Sequence, residues 1–109
     1  INDHLDDKIQ IATDQNIKLI DPSSVLYCKS DGNYCHVHFK DDTSLFISKK
    51  LKYMEEKLGG LAFMRVHNSY IINLNAIKEI SKKDSLIILT DDSLVPVSRS
   101  KKEKLFSMF

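Results

Sequence analysis

The feature that most restricts this fold is the spacing of its apolar residues. They come as short stretches that alternate in and out, and a turn signal breaks them about every 8–12 residues. Ile9 and Ile11 share one face of a first strand, and Ile17 and Leu19 share one face of a second. Asp21-Pro22 breaks that pattern. A third strand covers 25–28, and Asp31-Gly32 turns the chain. Over 34–39 the faces separate cleanly, with Cys35, Val37 and Phe39 on one and Tyr34, His36 and His38 on the other. Asp41-Asp42 turns again, and Leu45 and Ile47 extend the sheet. Further strands are expected at 63–67, 70–72, 76–80, 86–90 and 94–97. Most connections are too short for a parallel crossover. The expected fold is therefore mainly β, with about ten short strands in antiparallel sheets.

The period changes at Leu51, Met54 and Leu58, whose i, i+3, i+7 spacing predicts an amphipathic helix of about three turns. Ser48 is placed to cap it, and Gly59-Gly60 to end it. A short C-terminal helix is expected too. There Ser100 and Glu103 have capping-box spacing, and Leu105, Phe106 and Phe109 offer an apolar face. No apolar run exceeds four residues, against roughly 20 for a membrane span. A chain of 109 residues suits one domain, 1–109, and its start at Ile1 suggests the C-terminal part of a longer protein. The two cysteines, Cys28 and Cys35, are too few for a disulfide scaffold and fit a reducing cytoplasm.

Charge is uneven. Residues 1–48 carry a net −4 and residues 49–109 a net +5, a pattern that fits one end meeting a polyanion, or simply scattered solvated charge. Nothing suggests an enzyme: there is no Gly-rich phosphate loop, no HExxH motif and no CxxC pair. No cofactor is implied. His36 and His38 share a strand face but lack a third metal ligand at an obvious spacing. If Asp31-Gly32 forms a two-residue turn, Cys28 and Cys35 lie directly across from each other. If the loop is 31–33, that register is lost. Buried free thiols are the plainer reading, a redox pair the sharper one.

Two polar clusters remain. Phe63, Arg65 and His67 alternate with Met64 and Val66 before Asn68-Ser69 interrupts the strand. Asn and Arg can each form paired hydrogen bonds to a base edge, while Ser, Tyr and Lys hold phosphates. The second cluster, Ser98 to Lys104, sets four positive charges at a helix N-terminus, which favours anions. From composition alone, the plainer reading comes first: Asn68-Ser69 as turn formers and Arg99–Lys104 as a solvated helix end.

Residues 63–77, F-M-R-V-H-N-S-Y-I-I-N-L-N-A-I, resemble the signature of the LytTR-type DNA-binding domain. So do Val25-Leu26-Tyr27 with Gly32-Asn33-Tyr34 upstream, the helix from Leu51 to Leu58, and Val95-Pro96-Val97-Ser98-Arg99 downstream. The resemblance covers roughly residues 8–109. It implies an elongated β fold whose loops enter successive major grooves of double-stranded DNA, at paired direct repeats. Contacts are then expected from Asn33, Tyr34, His67, Asn68, Ser69, Arg99, Lys101 and Lys102, with His67 either touching DNA or orienting its loop. It further implies the effector role of a bacterial transcriptional response regulator in two-component signalling, with an N-terminal receiver domain and room for a homodimer on DNA. Cys28 stands where the family often has Glu, so no role of that acid transfers. The alternative is a protein-interaction module of the same fold that has lost DNA binding. An RNA-binding β domain would need paired stacking aromatics, and no such motif is evident.

Overall fold

The computed structural model describes residues 8–109; residues 1–7, including Asp3, Asp6 and Asp7 of the acidic half, lie outside them. Strands β1 (Ile9–Ala12) and β2 (Ile17–Ile20) form a hairpin. Strands β3 (Val25–Asp31), β4 (Tyr34–Phe39), β5 (Ser44–Ile47), β6 (Phe63–His67) and β7 (Tyr70–Asn73) form a central sheet in the order β5-β4-β3-β7-β6. Strands β8 (Ile77–Ser81), β9 (Leu86–Leu89) and β10 (Leu94–Pro96) form a third sheet, order β10-β9-β8. Helix α1 (Leu51–Lys57) follows β5, and α2 (Arg99–Phe106) closes the chain. Among the described residues every strand pair is antiparallel. The molecule is elongated, 43 × 32 × 24 Å, as expected.

The central sheet is covered on both faces, and β3 shows how. Val25 and Cys28 point into one core, with Ile11, Ile20, Leu51 and Met54. Leu26 points into the other, with Ile72, Ile87, Val95 and Leu105. A bulge between Val25 and Tyr27 makes this possible by placing an extra residue on β3. The unbroken run Val-Leu-Tyr-Cys is thus a strand buried from both sides.

Several expectations need correction. The β3–β4 turn is Gly32-Asn33, because Asp31 faces Tyr34 and Ser30 faces Cys35. Cys28 therefore faces Val37, and the two thiols are diagonal neighbours, both buried and unoxidised. A hydrogen bond to Cys35, and then burial, push the Cys28 thiol well above its usual range. Ile17 and Leu19 do share one face of β2, and it is the exposed face, at 69% and 50%. The register explains this: Ile9 pairs with Ile20 and Ile11 with Lys18, so the core face of the hairpin excludes Ile17 and Leu19. Helix α1 starts after Lys50, not Ser48, and spans two turns rather than three. In α2, Ser98 is the N-cap and makes no side-chain cap bond, so Ser100 and Glu103 form no capping box. Phe109 is exposed. Gly60 does end the α1 region, at φ +81°.

Candidate nucleic-acid interface

Two backbone bonds bring three separate loops to one end of the sheet stack. The Ser30 N–H donates to the Ser69 carbonyl at 2.9 Å, tying the β3–β4 turn to the β6–β7 turn. The Ser98 N–H donates to the Val66 carbonyl at 2.8 Å, tying the β10–α2 junction to β6. A bulge at Val66 leaves that residue unpaired in its ladder, which suits this acceptor role. The sequence signature is therefore a structural joint as well as a loop.

Asn33 and Tyr34 are exposed in the first loop. Tyr34 does not swing free: its ring stacks on Phe46 of β5, with centroids 5.0 Å apart. His36 Nε2 lies 3.4 Å from an Asp31 carboxylate oxygen at the base of the same turn. His36 and His38 share a face, as expected, but no group of three candidate metal ligands occurs among the described residues. His38 instead stacks flat on Tyr27, at 4.4 Å.

In the second loop Asn68 is exposed, while His67 and Ser69 are half-buried. His67 Nδ1 accepts a hydrogen bond from the Ser69 N–H at 3.1 Å, and its ring meets Tyr70 edge-on. That hydrogen bond engages Nδ1 of His67 with the backbone of its own loop. Arg65, whose residue type suits a base edge, has its guanidinium engaged inside the protein. It donates to the Asn68 carbonyl at 2.6 Å and to Glu55 at 3.1 Å.

In the third loop Arg99 is exposed at the first turn of α2, and Lys101 and Lys102 are half-buried. Lys101 lines a cleft of about 200 Å3 between α1, β6 and α2, beside Glu55, Arg65 and Lys104. Val66 is fully buried and Phe63 packs against the core, so both support the loop from behind.

One neighbour is not legible in the sequence. The Val97 N–H donates to the Ser85 carbonyl at 3.0 Å, which places the β8–β9 turn, with exposed Lys82 and Lys83, beside Ser98. Its only signal is a pair of lysines in a turn, which by itself reads as solvation.

A profile of the LytTr DNA-binding domain family matches residues 15–109. The sensory transduction protein LytT of Oceanobacillus iheyensis is 32% identical over 105 residues, covering 92% of this chain and 43% of that protein. The CO-responsive transcriptional regulator RcoM of Rhodospirillum rubrum is 30% identical over 102 residues, covering 90% of this chain and 43% of its own length. The chain thus spans less than half of these relatives. A solved LytTr DNA-binding domain from Bacillus cereus superposes with a TM-score of 0.75 over 94% of this chain and 95% of its own, at 24% identity. Together, the ten-stranded fold, the joined loops and the family profile make this chain a member of the LytTr DNA-binding domain family.

Proposed function

We propose that this chain binds duplex DNA sequence-specifically, as the effector domain of a bacterial transcription regulator, with the joined loops as its reading surface. The observation that carries the proposal is the convergence of Asn33-Tyr34, Asn68-Ser69 and Arg99 at one end, held by the Ser30–Ser69 and Val66–Ser98 bonds. Rigid anchoring matters because a base contact discriminates only if its donor and acceptor arrive in fixed geometry. Asn68 and Arg99 take the base-edge role. Tyr34, Ser69, Lys101 and Lys102 take the phosphate role. His67 shapes the loop. The longer relatives support a receiver or sensor domain elsewhere in the full protein, and binding at paired repeats would bring two copies together on DNA.

The test is selection from a random duplex pool, followed by titration of the selected sequence. Arg99→Ala and Asn68→Ala are each expected to cost about 1–3 kcal/mol on that sequence and to relax preference at one base pair. Intact affinity and preference in both variants would remove these residues from the site. A parent chain that binds no duplex even at low salt would favour a protein-interaction role instead.

A further inference from the structure

We propose that Glu55 and Arg65 form, with His67, a clamp that fixes the peptide plane between Asn68 and Ser69, and so sets the base discrimination of Asn68. The inference rests on the DNA-binding reading above and deepens it.

The carbonyl of Asn68 and the N–H of Ser69 belong to one peptide unit. The carbonyl accepts from Arg65 Nη2 at 2.6 Å, and the N–H donates to His67 Nδ1 at 3.1 Å. The plane is therefore held from both of its edges by side chains of β6. A peptide in a tight turn otherwise rotates at little cost, because such a rotation breaks no ladder bond. Here a rotation breaks two hydrogen bonds, one of them charge-assisted. Turning that plane changes ψ of Asn68 and φ of Ser69, and wherever the two changes do not cancel it shifts the turn backbone that carries the Asn68 side chain.

Arg65 needs its own support, because a long side chain alone loses rotamer entropy when it is fixed. Glu55 of α1 supplies that support, with Oε1 at 3.1 Å from Arg65 Nη1. The planar fork of a guanidinium can serve both partners at once, which the point charge of a lysine cannot do as well. Glu55 is thus a positioning residue, and through Arg65 it couples α1 to the loop at the end of β6.

The sign of one substitution separates this role from plain electrostatics. Glu55→Gln removes a negative charge near a DNA surface, so electrostatics alone predicts tighter binding to every duplex. The clamp predicts the opposite for the selected sequence: roughly three- to tenfold weaker binding and a matching loss of discrimination at one base pair, with non-specific duplex held as well as before. Arg65→Lys keeps the charge and should show the same loss. The double variant should be no worse than Arg65→Lys alone. Hydrogen exchange at the Ser69 amide of the free chain, read by NMR, should speed up in both single variants while Tm stays nearly unchanged.

Binding that is equal or tighter for all duplexes in Glu55→Gln, or unaltered Ser69 exchange, overturns the clamp. A uniform weakening in Arg65→Lys across all sequences makes Arg65 a phosphate contact and overturns it too. A parent that discriminates while both variants discriminate equally well defeats only the clamp; a parent that binds no duplex defeats the DNA reading beneath it.

Discussion

Asn73 belongs to the signature stretch, yet it is a buried polar residue, at 3% exposure. Its Nδ2 donates to the Val25 carbonyl and its Oδ1 accepts from the Asn75 N–H, each at 2.9 Å. It thus joins β3 to β7 and caps the short 3-10 turn at Leu74–Ala76. Asn73→Ala leaves a buried carbonyl without a donor, which costs about 1–3 kcal/mol, and removes a cap worth about 1 kcal/mol more. The expected result is a Tm lower by roughly 10 °C in a thermal melt. A Tm within about 2 °C of the parent would mean that water replaces the amide.

His38 is a second residue whose role is structural. Burial, then the neighbouring His36, holds its pKa below the ordinary 6.5. The folded state therefore favours the neutral ring. The stability it contributes is fully present above the unfolded value and is lost as pH falls through that value towards the folded one. Tm should accordingly fall between about pH 7.5 and pH 5.5, and His38→Phe, which keeps a ring against Tyr27, should flatten that fall. An identical pH slope in the variant would place the titration elsewhere.

At the scale of elements, the β3–β4 hairpin is set by one glycine. Gly32 has φ +62°, and Asn33 is not among the residues with positive φ, the pattern of a type II′ turn. A Cβ at Gly32 would meet no atom within 4 Å, so its cost is conformational rather than steric. Gly32→Ala is expected to destabilise the domain by about 1–2 kcal/mol, measured by urea unfolding with an unchanged m-value. No change in stability would mean that the turn reshapes around the new residue.

The same hairpin shows what is legible in the sequence and what is not. Strand periodicity in β4 and β6 is local, so their buried and outward residues can be told apart without knowing the fold. The turn residues are legible too, but not which pair forms the turn. Asp31-Gly32 and Gly32-Asn33 are both good turn pairs, and the choice moves the register by two residues. The bulges at Leu26 and Val66 are hidden for a different reason. A bulge is a mismatch with a partner strand, and the partner is known only from the fold. The candidate site divides in the same way. Asn68 and Arg99 stand out through their motifs, whereas the work of Arg65 depends on Glu55, ten residues away and on another element.

Among the described residues, the balance of charge follows strand end more than chain half. At the far end of the sheets, Asp21, Asp41 and Asp91 each accept from the backbone N–H two residues on, in turns at Ser23, Thr43 and Ser93. Asp42 and Asp92 sit there as well, each with positive φ. Asx turns of this kind place a carboxylate at the turn itself. The loop end carries Lys82, Lys83, Arg99, Lys101 and Lys102, which outnumber the turn carboxylates Asp31 and Asp84 there. Asp91 and Asp92, which belong to the basic half of the sequence, thus lie at the acidic end. The resulting field should orient an approaching duplex onto the loops and repel it from the other end.

Lysine substitutions at the two ends test this polarity. Lys78 lies at the acidic end, where it pairs with Asp92 at 2.6 Å. Lys78→Gln should leave the salt dependence of duplex binding unchanged. Neutralising Lys82 and Lys83 together should weaken selected and unrelated duplexes alike. The slope of log K against log salt should become shallower by about 0.9 for each phosphate that is no longer neutralised. Equal effects at both ends would mean that DNA is not confined to the loop end. A weakening restricted to the selected sequence would make the β8–β9 turn a reader of bases and not of phosphates.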